Sequence, residues 1–210
     1  RVKPGMTEFQ IAGILAEESF ARGCTPVVNL IAVDDRVFSY RHPIPTGKEM
    51  ERFAMLVLCG RRWGLIASVT RLVHFGPLSA ELQKKQWATA AVDATFIAAT
   101  RPGARVADIF QRAIEAYAQQ GYPDEWQLHH QGGLAGYEGR EYFATPSSEE
   151  VVYGNQAFAW NPSITGTKSE DTIIVGPEEN EIITAVGHWP MLSIKVDGQT
   201  IERPAILESI

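Results

Sequence analysis

Cysteine is scarce: Cys24 and Cys59 are the only two in 210 residues, and no Cys-x-x-Cys pair occurs. That argues against a disulfide framework or a zinc ribbon and points to a reducing, cytoplasmic setting. Long apolar runs are missing too. No stretch approaches the roughly 20 residues that cross a bilayer, and the first residues lack the apolar centre of a signal peptide, so no membrane partner is expected. Basic residues are outnumbered, with 19 Lys and Arg against 25 Asp and Glu for a net charge of -6. Without a basic surplus to release counterions, nucleic acid is not an expected partner. What remains, 45% apolar and 21% charged residues, is the composition of a globular domain long enough to bury a sizeable core.

Local patterns divide the chain into helices and short strands. Thr7 with Gln10 forms a capping box ahead of Ile11, Ile14 and Leu15, so a helix opens there and ends at Gly23. Pro26 to Val33 reads as a strand, and a second extended run is expected over Val37 to Tyr40. Met55 to Cys59 and Leu65 to Val73 suggest a hairpin closed by the Gly60 to Gly64 segment. Two long helices follow, from about Ser79 to Thr100 and from about Ala104 to Gln120. Val151-Val152, Gln156 to Trp160, Thr172 to Val175 and Glu181 to Val186 are strand candidates, and Lys195 to Thr200 reads as a turn between two more. Helices and antiparallel strands in this order suggest an α+β domain.

The densest chemistry lies in Leu128-His129-His130-Gln131-Gly132-Gly133-Leu134-Ala135-Gly136-Tyr137-Glu138-Gly139-Arg140-Glu141, where four glycines are interleaved with two histidines, two acids and an arginine. Glycines here mean backbone passing close to something, and the neighbouring His, Glu and Arg side chains can bind or transfer protons. Upstream stands His42-Pro43 in a loop whose two prolines and glycine exclude regular structure. Downstream stand Asn161-Pro162 and Glu170-Asp171.

In this order and spacing the motifs resemble the pita-bread hydrolases, the family of methionine aminopeptidase, aminopeptidase P, prolidase and creatinase, over residues 4 to 187. The resemblance implies a curved, largely antiparallel sheet with helices on its outer side, built as two pseudo-symmetric halves. It also implies that residues 1 to 210 form one catalytic-type domain, the C-terminal part of a longer chain, and that the protein is a homodimer.

The peptidases of this family hold two divalent metals with two Asp, one His and two Glu. Carried over position by position, the first Asp falls on Leu58, the second on Ser68 ahead of Val69-Thr70-Arg71, and the first Glu on Asn161. Only the last Glu is retained, as Glu170. One register of the glycine-rich stretch, matching His129, Gly132, Gly136 and Glu141, places Gly133 at the ligand histidine and Arg140 at a second family histidine; a slipped register instead places His130 at the ligand and Glu138 at the acid. A hard divalent ion needs several oxygen ligands, so neither a metal nor another cofactor is expected.

Within the same family, creatinase hydrolyses without metal, using the histidine that corresponds to His42. By that resemblance His42 is expected as general base and then acid, with Glu170 and Glu141 orienting or binding. His129, His130, Tyr137, Arg140, Asn161 and Trp160 are expected to line the substrate cleft. The reading that results is a metal-independent hydrolase of a C–N bond in a small amidino, amide or peptide-like substrate. Two alternatives stay open: a peptidase-like metalloenzyme with a divalent metal in a rearranged site, and a catalytically inactive module that binds a peptide or protein.

Overall fold

The structure, a computed structural model, describes residues 1 to 209. The Thr7 hydroxyl accepts from the Gln10 N–H and the Thr7 N–H donates in return to the Gln10 side-chain oxygen, the expected capping box, which starts helix α1 (Glu8–Ala21). Helix α1 packs on β1 (Thr25–Val33). Asp34, at a φ of 49°, then reverses the chain into a five-residue helix, α2 (Asp35–Ser39). The extended run expected over Val37 to Tyr40 is therefore mostly helical. The reason is non-local: the Asp34 carboxylate accepts from the backbone N–H groups of Glu51, Arg52 and Phe53 and folds the chain back on itself.

Strands β2 (Phe53–Arg62) and β3 (Leu65–Phe75) form the expected hairpin, with Trp63 and Gly64 both at positive φ in its tip. Helices α3 (Ala80–Ala99) and α4 (Val106–Gln119) follow, α3 capped by the Ser79 hydroxyl. After them come β4 (Gly132–Ala135), β5 (Ala157–Trp160), β6 (Ser163–Ile164), β7 (Thr167–Lys168), β8 (Asp171–Ile174) and β9 (Glu181–Ile182). Val151 makes only an isolated bridge to Arg105, and the last of the expected strands stops at Ile182. A hairpin of β10 (Met191–Val196) and β11 (Gln199–Pro204) turns at Asp197-Gly198, and β12 (Leu207–Ser209) ends the described chain.

Two four-stranded sheets result, in the orders β1-β2-β3-β12 and β4-β5-β8-β9. Pairing is antiparallel except between β12 and β3. The sheets join where Thr70 bridges Glu170, with the Thr70 N–H donating to the Glu170 carbonyl at 3.1 Å. One core packs α3 and α4 against Phe158, Trp160 and Ile173 of the second sheet. Another packs Ile11 of α1 against Ile31 and Val33. No helix among the described residues is long and apolar enough to cross a membrane.

Candidate active site

A cavity of about 230 Å³ opens between the two sheets. From the first sheet it is lined by Val28, Leu30, Val57 and Cys59; from the second and its connections by His130, Arg140, Phe143, Asn161, Lys168 and Glu170; and His42 completes it. Residues up to 128 positions apart in sequence thus converge, as the resemblance implies for His42, His130, Arg140, Asn161 and Glu170.

His42 is held by an extended network. Glu8, wholly buried, accepts from the Val33 N–H at 2.9 Å, Arg36 Nε at 2.8 Å, and the Thr46 N–H and hydroxyl at 2.8 and 2.6 Å. Arg36 also donates to the Ile44 carbonyl at 3.0 Å, and Arg41 donates to Glu125 at 2.7 Å and Thr165 at 2.9 Å. The prolines restrict the loop, and these bonds fix where it sits. His42 Nε2 consequently lies 3.2 Å from His129 Nε2 and 3.3 Å from His130 Nε2. Burial lowers the pKa of all three imidazoles, His130 to about 3, and the positive charges of Lys168 or Arg140 push the same way. All three are neutral at pH 7.

Glu170 is 2% exposed and fully engaged. Its Oε1 accepts from Arg140 Nη2 at 3.0 Å, and its Oε2 from the Thr70 hydroxyl at 2.5 Å and Lys168 Nζ at 3.1 Å. Burial alone would raise its pKa, but Lys168 and then Arg140 outweigh that and hold it at about 2. Arg140 Nη1 also donates to Ser68 Oγ at 3.0 Å. Two cations around one carboxylate leave the cluster with a net charge of +1.

The positions that the resemblance assigns to paired metals do not fit them. A Cβ on Gly133, at φ 155°, would meet the Tyr142 carbonyl oxygen at 2.2 Å, so no ligand side chain can stand there. Gly132 is equally closed, its Cβ position lying 2.1 Å from the Ala159 carbonyl oxygen. The assignment of Leu58 to the first aspartate needs correction. In the hairpin Leu58 pairs with Val69, and both line a groove on the far face; Cys59 is the residue opposite Ser68. The Ser68 hydroxyl donates to Cys59 Sγ at 3.2 Å, and burial pushes that thiol's pKa up, so it stands there protonated. Arg140 spans Ser68 and Glu170, and Lys168 sits on the other Glu170 oxygen, so two positions that the resemblance assigns to metal ligands are bridged by fixed positive charge.

Four of the expected site residues lie elsewhere. Glu141 turns away and accepts from the Tyr137 and Glu138 N–H groups at 2.7 and 3.1 Å, closing a tight turn. Tyr137 is 71% exposed and rests against Gly64 at the hairpin tip. Trp160 is wholly buried, stacked on Phe96 with centroids 4.5 Å apart and donating Nε1 to the Thr100 hydroxyl at 2.9 Å. His129 stands behind His42 rather than on the cavity wall. Lys168, Cys59 and Phe143 were not foreseen, nor was the apolar wall of Val28, Leu30 and Val57. Lys168 had a signal, since it lies two positions before Glu170 and an extended chain puts such residues on one face.

A family model described as metallopeptidase family M24 matches residues 1–184. An uncharacterized peptidase of Staphylococcus saprophyticus is 25% identical over 195 residues, 87% of this chain and 55% of that protein. Among solved structures, the Xaa-Pro dipeptidase from Bacillus anthracis matches with a TM-score of 0.82 at 20% identity, covering 99% of this chain and 56% of that one. The prolidase from Pyrococcus horikoshii OT3 gives 0.81 at 18% identity, covering 88% and 56%. The N-terminal domain of FACT complex subunit SPT16 from Cicer arietinum gives 0.71 at 11% identity, covering 87% and 50%. The chain spans about half the length of these relatives, and at such identities the structural likeness is one of fold. The family model takes in the His42 loop, the hairpin and the glycine-rich strand together, and the chain belongs to metallopeptidase family M24.

Proposed function

We propose that this M24 domain hydrolyses a C–N bond in a small amidino, amide or peptide-like substrate without the family's paired metals, using His42 to carry the proton. The observation that carries the reading is the makeup of the cavity: a neutral histidine faces an anion-attracting cluster and an unfilled amide. Asn161 is 2% exposed and its Oδ1 has no partner, so it is placed to accept an N–H from a ligand. The surplus positive charge of Arg140 and Lys168 over Glu170 attracts a substrate carboxylate. His42 takes a proton from water as the oxygen adds to the carbon of the C–N bond. That bond then breaks, and the nitrogen leaves with the proton returned by His42, so the step consumes one water and no other reactant.

The protonated thiol of Cys59 is unsuited to be the nucleophile. His42→Gln tests the reading: a positioned base contributes about 100- to 10,000-fold, so turnover falls by that much while the fold is kept. One observation favours a second reading, an inactive module that binds a peptide or protein. Glu170 is committed to its cations and Glu141 to a turn, and neither makes a hydrogen bond to His42. On that reading ligand binding survives in His42→Gln, and no turnover is found in either form.

A further inference from the structure

The three imidazoles form a second feature with chemistry of its own. Nε2 of His42 is within hydrogen-bond distance of two other Nε2 atoms, at 3.2 and 3.3 Å, and the three possible ligand atoms lie within 4.8 Å of one another. A neutral imidazole nitrogen offers either one hydrogen or one in-plane lone pair, so His42 serves one such neighbour well and not both. A single cation accepts all three lone pairs at once. For Zn–N bonds of about 2.0–2.1 Å in tetrahedral geometry, adjacent nitrogens stand roughly 3.3–3.4 Å apart. The two spacings from His42 match that value, and the third pair of nitrogens lies within 4.8 Å.

The cluster is also held in place before any ligand arrives. His129 and His130 follow the 3-10 turn Glu125–Leu128, and Arg41 ties the His42 loop to Glu125 of that turn at 2.7 Å. Gln131 donates to the His129 and Trp126 carbonyls at 2.6 and 3.0 Å and accepts from the Tyr117 hydroxyl at 2.8 Å. Two rings, His42 and His130, line the cavity, so an ion between them is reachable from solvent.

We propose that His42, His129 and His130 form a site for one borderline transition-metal ion of the zinc, cobalt, nickel or copper class, separate from the positions of the family's metals. Three imidazoles and no oxygen ligand select against Mg²⁺, Ca²⁺ and Mn²⁺. Lys168 and Arg140 weaken the site and Glu170 partly offsets them, which keeps it exchangeable. Resting on the hydrolase reading, the ion acts as a switch. Once bound, it occupies the lone pair with which His42 takes the proton, and turnover stops.

The test uses the full 210-residue chain, stripped with chelator and titrated with Co²⁺ and Zn²⁺. One equivalent of Co²⁺ is expected, with the visible absorption of a low-symmetry nitrogen-ligated ion. His130→Asn and His129→Ala should each weaken uptake by more than roughly 100-fold, beyond the usual effect of losing an outer-shell partner. Glu141→Gln should not change it. Far-UV circular dichroism separates ligand loss from misfolding, and half-buried His130 makes its variant the safer of the two. No uptake at millimolar metal, or uptake undiminished in folded His130→Asn, overturns the site. Hydrolysis falling in step with Zn²⁺ occupancy supports the switch, and a rate indifferent to occupancy overturns it. A rate that rises with Zn²⁺ overturns the switch and the metal-free chemistry of His42 together, while the site itself stands.

Discussion

Replacing Glu170 by Gln removes the one negative charge between two buried cations, and the cost can be worked from its surroundings. Glu170 is 2% exposed and accepts from Arg140 at 3.0 Å, Lys168 at 3.1 Å and Thr70 at 2.5 Å. Arg140 and Lys168 have 7% and 2% of their side chains exposed, so water cannot replace the lost partner. Breaking a buried pair from one side typically costs about 3–5 kcal/mol. The carboxyl's titration gives a second route. Its pKa is held at about 2 against an ordinary value of 4.5, and at about 1.4 kcal/mol per pH unit that amounts to about 3 kcal/mol. The two routes agree in order of magnitude.

The sign follows from linkage. A carboxylate whose folded pKa is depressed contributes stability above pH 4.5 and loses it as pH falls from 4.5 towards 2. Urea unfolding at pH 7 should therefore show Glu170→Gln less stable by about 3 kcal/mol. Its stability should fall less steeply than the parent's between pH 4.5 and 2, a window set by the shift itself. A variant within about 0.5 kcal/mol of the parent at pH 7, the range of ordinary surface changes, would refute the buried cation cluster.

Two further substitutions separate the cavity from its supports. Glu141→Gln loses charge-assisted bonds to the Tyr137 and Glu138 N–H groups at 2.7 and 3.1 Å; about 1 kcal/mol of stability should go in a urea titration, with turnover unchanged. Gly133→His, which would rebuild the family's ligand histidine, meets the Tyr142 carbonyl at 2.2 Å. It should lower the melting temperature and add no metal uptake beyond the parent's by elemental analysis, whereas a stable variant that takes up more metal than the parent would contradict the closed backbone described here.

How much of this could be read from the sequence depended on whether the signal was local. The Thr7/Gln10 capping box, the start of α3 near Ser79 and the turns within Gly60 to Gly64 and Lys195 to Thr200 are set by residues a few positions apart and are legible, although β2 runs on to Arg62 and leaves only Trp63-Gly64 at the hairpin tip. Val37 to Tyr40 was misread because its helix depends on Asp34 binding the backbone at Glu51 to Phe53. Trp160 and Asn161 are adjacent in an extended chain and so face opposite ways; expecting both in the cavity ignored the two-residue period. The same period separates Leu58 from Ser68 across the hairpin. Glu8 shows the opposite limit. Nothing near it in sequence marks it as the buried carboxylate that sets the His42 loop, because its partners Val33, Arg36 and Thr46 come from three later segments.

On the proposed reading the Arg140–Glu170–Lys168 cluster stands in place of the paired metals and His42 supplies the proton transfer. Turnover of a panel of small amidino, amide and dipeptide substrates by exhaustively chelated protein tests it most directly. C–N cleavage should persist without metal and drop about 100- to 10,000-fold in His42→Gln. Cleavage that vanishes on chelation and returns with two equivalents of Mn²⁺ or Co²⁺ per chain would contradict it.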